Sequence, residues 1–294
     1  MLRDLKKTAA LKSFVAGALY GKTKFISLYP DDVATSTKAS SVLFLLGRTC
    51  NNRSADNEPC VIFNKRSLKV RQPGDLCFPG GRVSPRLDLF LSKLLSRPFL
   101  PLGRWAYWRR WQEKGPEESD RLSLLFATSL RESFEEMRLN PLGVTFLGPM
   151  PCHELPMFRR ELYPMVVWVN RQMRFFPNWE VEKIVRVPLG RLLESHAYAL
   201  YRLRFHDPWQ GMFSQDFPCF QYEDGKGKEI LWGVTYRIVM AFIKMIFDFN
   251  PPSLERLPVI KGSMNRDYFN GSGNHTFQKV LRRDYGNRGH EPDA

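Results

Sequence analysis

Short apolar runs along the chain, bounded by polar residues, glycine or proline, predict buried β-strands. They are rich in branched and aromatic side chains, which fit a pleated, half-buried surface. The clearest runs are residues 41–47, 60–67, 75–78, 144–148 and 163–170, with two further aromatic runs within 197–222.

A different spacing predicts helices in two places. Apolar side chains recur at Ala127, Leu130, Phe134 and Met137, steps of three and four that place them on one face of a helix. We expect this helix to be capped by Ser119, because a serine hydroxyl can accept from the first free backbone N–H groups. The apolar stretch 230–247 predicts a second, mostly buried helix that ends before a Pro-Pro pair.

Strands that flank two helices predict an α/β fold, an α/β/α sandwich with a mixed β-sheet. We divide the chain into a basic N-terminal extension (1–35), one domain (36–250) and a polar C-terminal tail (251–294) that is loosely docked or disordered. A segment at about 82–118 interrupts the domain.

The N-terminal segment is apolar with lysines interspersed, which predicts an amphipathic helix that packs on the domain or lies on a surface. The alternative is an organellar targeting presequence. No apolar run reaches the roughly 18 residues that a membrane-spanning helix needs.

Cysteine usage indicates a reducing compartment such as the cytoplasm. The five cysteines are odd in number, scattered, and form no Cys-x-x-Cys pair. This pattern argues against a disulfide framework and against a structural zinc site.

The net charge of +14 is concentrated in two segments. Residues 1–24 carry +5 and residues 82–116 carry +6. A basic field of this kind favours an anionic partner: a phosphorylated small molecule, nucleic acid or an anionic membrane surface. Within the second segment, Trp105, Trp108 and Trp111 share one edge. We expect this edge to pack on the domain; the alternatives are a lid over a cleft or a membrane-surface helix.

Candidate chemistry centres on the acidic residues Glu132, Glu135 and Glu136. Residues of a helix advance about 100° each, so these side chains emerge close to one another. Like charges one turn apart repel, and a divalent cation would offset the repulsion; Mg²⁺ and Mn²⁺ prefer such oxygen ligands. Arg131 could orient one of the carboxylates. The alternative is a solvated acidic face.

A glycine pair precedes this helix in the sequence. Gly80 and Gly81 follow the predicted strand at 75–78, and glycine allows backbone to approach a ligand closely. A strand, a glycine loop and a helix carrying Arg131, Glu132, Glu135 and Glu136 together resemble the signature of the Nudix hydrolases.

The sequence departs from that signature at three points. Ser133 stands where an apolar residue is usual, and Arg138 stands where glycine is usual. The segment 82–118 is an insertion inside the signature, so its first glutamate has no clear counterpart; Asp88 and Glu118 are the candidates.

Further blocks at 63–67, 163–167, 187–193 and 230–238 resemble the coenzyme A diphosphatase branch. That branch usually has Gly-Gln ahead of the glycine loop, where this chain has Gly74-Asp75. The resemblance implies a hydrolase that cleaves a diphosphate linked to a nucleoside, most simply coenzyme A or acyl-CoA to 3′,5′-ADP and the (acyl-)phosphopantetheine.

The resemblance also implies roles for individual residues. Glu132, Glu135 and Glu136 would bind Mg²⁺ or Mn²⁺, and Arg131 would orient a carboxylate. Gly80 and Gly81 would approach the metal or phosphate. Lys65, Arg66 and Arg82 are candidates for substrate phosphates. A signature glutamate, or Glu180, would serve as general base.

Two other interpretations remain open. The domain could bind a nucleotide or RNA with weakened catalysis, since the signature is altered and the chain is basic. The neighbours Cys152 and His153 could form a nucleophile pair, although the sequence offers no third, orienting group.

Overall fold

The computed structural model describes residues 8–49, 58–155, 159–207, 211–223, 227–263 and 268. Most of the predicted C-terminal tail, from residue 264 onward except Tyr268, lies outside these residues. The α-helices are α1 (Thr8–Thr23), α2 (Pro85–Leu95), α3 (Trp108–Gln112), α4 (Pro116–Met137), α5 (Leu189–Leu192) and α6 (Gly233–Phe247). Single 3₁₀ turns lie at Pro141–Gly143, Ser195–Ala197 and Leu254–Arg256.

The strands form two sheets. The first contains β1 (Ala39–Arg48), β2 (Pro59–Arg66), β3 (Leu76–Cys77), β4 (Gly80–Arg82), β5 (Val144–Pro149), β6 (His153–Leu155), β7 (Arg160–Val169) and β8 (Val181–Pro188). The second contains β9 (Tyr198–Asp207), β10 (Gly211–Glu223), β11 (Lys228–Trp232) and β12 (Val259–Ser263).

The first sheet is mixed, which confirms the α/β prediction. Its strand order is β3-β2-β1-β7-β5, with β4 also paired to β1, β6 to β7 and β8 to β2. Strands β1 and β7 run parallel, whereas the other pairs in this sheet are antiparallel. The second sheet has the order β11-β10-β9-β12. Its strand β12 comes from residues assigned to the tail, so the tail begins as part of a sheet.

Side-chain alternation along β1 builds a core on each face of the first sheet. Leu43 and Leu45 pack in the cluster that includes α4, whereas Phe44 and Leu46 pack in the cluster that includes α1 and α6. The layers are therefore helix, sheet and helix. The N-terminal helix α1 packs on the domain as expected.

The segment between β4 and α4 folds onto the α4 face of the sheet. Trp105, Trp108 and Trp111 are buried there, and the Trp105 indole N–H donates to the Leu147 carbonyl at 3.2 Å. The expectation that the tryptophan edge packs on the domain is confirmed, and this edge is neither a lid nor a membrane-facing surface.

Two predicted boundaries are wrong. Helix α4 begins at Pro116 after Gly115, and Ser119 lies within its first turn, where its hydroxyl bonds the Pro116 carbonyl at 2.8 Å. Proline suits the first helical position because the N–H it lacks would have no partner there. Residues 230–232 belong to β11, so the final helix begins only at Gly233. Within the described part of the chain, no helix is both long and apolar enough to cross a membrane.

Candidate active site

Helix α4 lies on the sheet with an orientation that differs from the prediction. Ser133 is fully buried and donates to the Ser129 carbonyl at 2.6 Å, whereas Phe134 is 45% exposed. The predicted apolar stripe through Phe134 is therefore wrong at that position. A serine can be buried in a helix because its hydroxyl bonds the carbonyl one turn back. The rotation directs Glu132 and Glu136 towards β4.

The end of α4 explains one departure from the signature. Arg138 adopts a left-handed conformation with φ of 54°, and its N–H donates to the Phe134 carbonyl at 3.0 Å. Glycine is favoured at such a helix end because other residues pay roughly 1 kcal/mol or more there. The guanidinium of Arg138 lies over the Phe134 ring, 5.1 Å from its centroid, which keeps the exposed ring partly covered.

Glu136 is held by hydrogen bonds to both of its carboxylate oxygens. Its Oε1 accepts from the Gly80 backbone N–H at 3.2 Å, and its Oε2 accepts from the Asn64 side-chain amide at 2.7 Å. Burial raises the pKa of Glu136 to about 7, and the charges of Glu132 and Glu180 also raise it, whereas the bonds from Gly80 and Asn64 lower it. These contacts fix the Glu136 carboxylate between β4, which contains Gly80, and β2, which contains Asn64.

Asn64 is a site residue that the sequence did not single out. It is fully buried, and its Oδ1 has no hydrogen-bond partner among the described residues, although its amide nitrogen is bonded to Glu136. A buried acceptor without a partner is costly, by roughly 1–3 kcal/mol. Only its residue type and its place near the end of a strand could have pointed to it.

Glu132 lies against Gly81. A methyl group added at Gly81 would overlap the Glu132 carboxylate, so any larger residue here would displace that carboxylate. Arg131 contacts Glu132 at 3.0 Å. Burial raises the pKa of Glu132, and the Arg131 charge lowers it. The structure thus brings Gly80, Gly81, Glu132 and Glu136 together.

Glu135 does not join this group. It is exposed, and its carboxylate accepts from Arg131 Nη1 at 3.2 and 3.3 Å. Residues three apart on a helix differ by about 60° in direction, and the pairing with Arg131 holds Glu135 on the solvent side. Among the described residues, no group of three or more His, Cys, Asp or Glu side chains is arranged to hold a metal ion. Glu135 nevertheless shares Arg131 Nη1 with Glu132, so the convergence of Glu132, Glu135 and Glu136 on one ion stays a prediction.

Asp88 of α2 is a further acidic partner of Arg131 and comes from outside helix α4. Its Oδ1 accepts from Arg131 Nε at 2.7 Å and its Oδ2 from Nη2 at 3.2 Å. Asp88 is fully buried and also accepts from the Ser84 N–H at 2.7 Å and the Thr128 hydroxyl at 2.8 Å. The other candidate, Glu118, instead accepts from the Leu28 N–H at 3.1 Å, near the opposite end of α4. Asp88 thus fixes Arg131 from outside the helix.

A turn before β8 closes the site from another side. The Asn178 N–H donates to the Glu136 carbonyl at 2.8 Å, and the Asn178 side chain accepts from the Glu180 N–H at 2.9 Å. Glu180 lies near enough for its charge to raise the pKa of Glu136. Glu180, the general-base candidate, thus lies within electrostatic reach of Glu136.

The three basic candidates are not equivalent. Lys65 lies on the face of β2 opposite Asn64 and pairs with Glu229 at 3.3 Å and Glu182 at 3.6 Å, so its charge is already compensated. Arg66 donates to the Arg71 carbonyl at 2.7 Å. Arg82 is exposed, and its carbonyl accepts from Arg131 Nη2 at 3.1 Å.

Cys152 and His153 give no sign of nucleophile activation. Burial raises the pKa of the Cys152 thiol to about 11, and burial together with the Arg237 charge lowers the pKa of His153 to about 4. An activated cysteine needs the opposite: a thiolate beside a charged imidazole.

Comparison with known proteins finds no matching family model and no curated protein that matches the sequence. Several solved structures are similar in part. A NUDIX hydrolase from Nitrosomonas europaea aligns over 77% of this chain and 81% of its own, with 11% identity and a TM-score of 0.36. A MutT/nudix family protein from Enterococcus faecalis aligns over 84% and 68%, with 12% identity and a TM-score of 0.36. The NUDIX domain of Shewanella oneidensis NrtR, solved with ADP ribose, aligns over 59% and 84%, with 14% identity and a TM-score of 0.31.

Proposed function

We propose that this chain is a Nudix-type diphosphatase that requires Mg²⁺ or Mn²⁺ and hydrolyses the diphosphate of a nucleoside diphosphate derivative. The proposal rests on one observation: Glu136 is held between the Gly80 N–H and the Asn64 amide while Glu132 lies against Gly81. Two carboxylates and a close-packed glycine backbone then meet at one place.

The oxygen atoms of this site suit a hard divalent cation. Glu132 and Glu136 would hold the ion, and the unpartnered Oδ1 of Asn64 is a neutral oxygen beside them. Such an ion neutralises charge on phosphate oxygens and lowers the pKa of a bound water. Glu135 pairs with Arg131. We therefore propose Glu132 and Glu136 as the carboxylate ligands, a smaller set than the three glutamates predicted from the sequence.

The remaining residues orient a metal-binding carboxylate and accept the proton of the attacking water. Arg131, fixed by Asp88, holds the Glu132 carboxylate in place. Glu180, within electrostatic reach of Glu136, is our candidate to accept a proton from the attacking water. Hydrolysis adds the water across the phosphorus–oxygen–phosphorus linkage; with coenzyme A the products are 3′,5′-ADP and phosphopantetheine.

A metal-dependent substrate screen tests this function. Purified protein would be incubated with Mn²⁺ and coenzyme A, acyl-CoA, NADH, ADP-ribose or a nucleotide sugar, and products separated by chromatography. We expect Glu136→Gln to lower kcat by at least roughly 100-fold, because its neutral amide is a poor ligand for the cation. If other compounds are hydrolysed and coenzyme A is not, the assignment of coenzyme A as substrate would be wrong, while the diphosphatase activity would stand.

A stability measurement separates loss of function from loss of fold. Glu136→Gln removes a buried charge, so we expect the metal-free variant at pH 8 to melt at or above the wild-type temperature. Full activity in a folded variant would contradict the ligand assignment. Nucleotide binding by wild type without turnover would instead support the catalytically weakened binding module.

We also infer that α2 contacts an anionic membrane surface. Its polar side chains Asp88 and Ser92 face inward together with Leu95, whereas four large apolar side chains face outward, with Phe90 at 67% exposure. Exposed basic side chains flank this apolar face. The outward face comprises Leu87, Leu89, Phe90 and Leu94, with Arg86, Lys93 and Arg97 beside them. Apolar residues bordered by cations are typical of helices that lie in the lipid headgroup region.

Vesicle sedimentation tests this surface. We expect the protein to bind phosphatidylcholine vesicles that contain phosphatidylglycerol and to bind pure phosphatidylcholine poorly. The double variant Phe90→Ser, Leu94→Ser should bind at least roughly tenfold less, because it removes apolar area from the membrane-facing side. Leu254→Ser, also at an exposed site, is the matched control. Equal binding by the double variant and the control would exclude this surface.

A further inference from the structure

A second group of charged residues lies across the first sheet from the candidate metal site. Arg82 of β4 pairs with Ser40 of β1, and Ser40 pairs on its other side with Leu162 of β7. Arg160 lies two residues before Leu162 on the same strand. Directly paired residues and residues two apart share one face of a sheet, so Arg82, Ser40 and Arg160 lie on the same face.

This face is the one covered by α6. Leu162 packs in the core cluster that contains α6, and Gly81, the neighbour of Arg82, faces the opposite way towards Glu132. Adjacent strands lie about 4.8 Å apart, so the backbones of Arg82 and Arg160 flank Ser40 at a separation that two arginine side chains can span.

Ser40 is a polar side chain left without a partner at this place. It is 2% exposed, and its Oγ makes no hydrogen bond to the described residues. The hydroxyl of the next residue, Ser41, does have a partner, because it donates to the Tyr163 carbonyl at 3.1 Å. A buried hydroxyl between two arginines is a donor that can serve a bound anion.

The arginines around Ser40 form no ion pair with a carboxylate among the described residues. The pKa of Arg160 is lowered first by burial and then by the charges of Arg82, Arg71 and Arg66, which places these three guanidinium groups within electrostatic reach of Arg160. No ion pair within the described residues joins any of the four to a carboxylate; Asp75 attracts Arg66, and Glu161 is bonded to the Tyr163 hydroxyl at 2.8 Å.

We propose that Arg82, Arg160 and Ser40 form a binding site for a phosphomonoester group of the substrate, separate from the diphosphate that is cleaved. Arg71 and Arg66 add positive charge at its rim. Arginine suits this task because its planar fork of donors matches phosphate oxygens. Arg82 directly follows Gly81, so the two sites are adjacent along β4 although they lie on opposite faces of the sheet. This inference deepens the proposed function and rests on it.

The test compares two substrates that differ only by one phosphomonoester. With Mn²⁺ present, kcat/KM would be measured for coenzyme A and for dephospho-coenzyme A. We expect the full-length wild type to prefer coenzyme A, and Arg160→Gln to reduce that preference by roughly 10- to 100-fold, the effect of losing a charged hydrogen bond. Arg171→Gln, an exposed arginine in the loop after β7, is the control and should leave the preference unchanged.

A binding measurement keeps this inference separable from the hydrolase proposal. Titration calorimetry without metal would compare 3′,5′-ADP with 5′-AMP, and free inorganic phosphate would be titrated as a third ligand. Tighter binding of 3′,5′-ADP that Arg160→Gln abolishes supports the phosphomonoester site even if no compound is hydrolysed. Equal affinity of the wild type for the two nucleotides, binding of free phosphate alone, or an equal loss for both substrates in Arg160→Gln would overturn it.

Discussion

Neighbouring residues of one helical turn have different environments in this protein. Glu136 and Glu132 emerge about 40° apart and face the glycine strand, whereas Glu135 faces solvent and binds Arg131. The difference is set by partners outside the helix: Gly80 and Asn64 on one side, and Arg131 with Asp88 on the other. The helix alone supplies three similar acids, and the tertiary contacts assign them different roles.

Gly81→Ala tests the close contact at the site. The added methyl group would overlap the Glu132 carboxylate, so the carboxylate has to move. Misplacing a catalytic group by an ångström can cost about 100-fold in rate. We therefore expect kcat/KM to fall by roughly tenfold or more, measured with the substrate that the screen identifies.

Gly190→Ala is the matched control for that change. An added Cβ at Gly190 meets no atom within 4 Å, and this residue lies in α5 away from the carboxylates. Its activity should equal that of the wild type. If Gly81→Ala and Gly190→Ala were equally active, the packing of Glu132 on Gly81 would have no catalytic importance.

At the scale of elements, hydrophobic patterning predicts which segments are regular better than it predicts how they are oriented. The strands β1, β2, β5 and β7 follow from short apolar runs, because burial on both faces demands such runs. The rotation of α4 does not follow. Ser133 could be buried only because its hydroxyl is satisfied within the helix, and a spacing rule that counts apolar residues selects Phe134 instead.

The site residues that could not be predicted from the sequence depend on contacts between distant segments. The roles of Asn64 and Asp88 depend on partners 72 and 43 residues away, Glu136 and Arg131 respectively. In helix α2, too, contacts with a distant segment decide which side chains are buried. Its apolar side chains suggest burial, yet the polar Asp88 and Ser92 face the protein because Arg131 and Thr128 require the Asp88 carboxylate.

At the scale of the whole molecule, Asp75 connects three separate parts. It precedes β3 in the first sheet, its Oδ1 accepts from the Trp232 indole N–H of the second sheet at 3.0 Å, and its Oδ2 accepts from the Tyr268 hydroxyl near the C-terminus. Burial raises the pKa of Asp75 to about 6, although both of these hydrogen bonds and the Arg66 charge lower it. The molecule thus joins its two sheets through a carboxyl group that holds its proton more tightly when folded.

This linkage predicts a pH dependence of stability. Because the folded pKa of Asp75 is raised from 3.8 to about 6, its protonated form stabilises the fold at low pH, and that contribution is lost as pH rises through about 6. The free energy of unfolding of the wild type, relative to Asp75→Asn, should therefore fall between pH 5 and pH 7.5, by on the order of 1 kcal/mol. Urea unfolding of both proteins at the two pH values measures this difference, and other titrating groups, including His153, cancel in it. Tyr268→Phe, which removes one donor to the carboxylate, should shift the loss to higher pH. An equal pH dependence in wild type and Asp75→Asn would show that this carboxyl group does not titrate with folding.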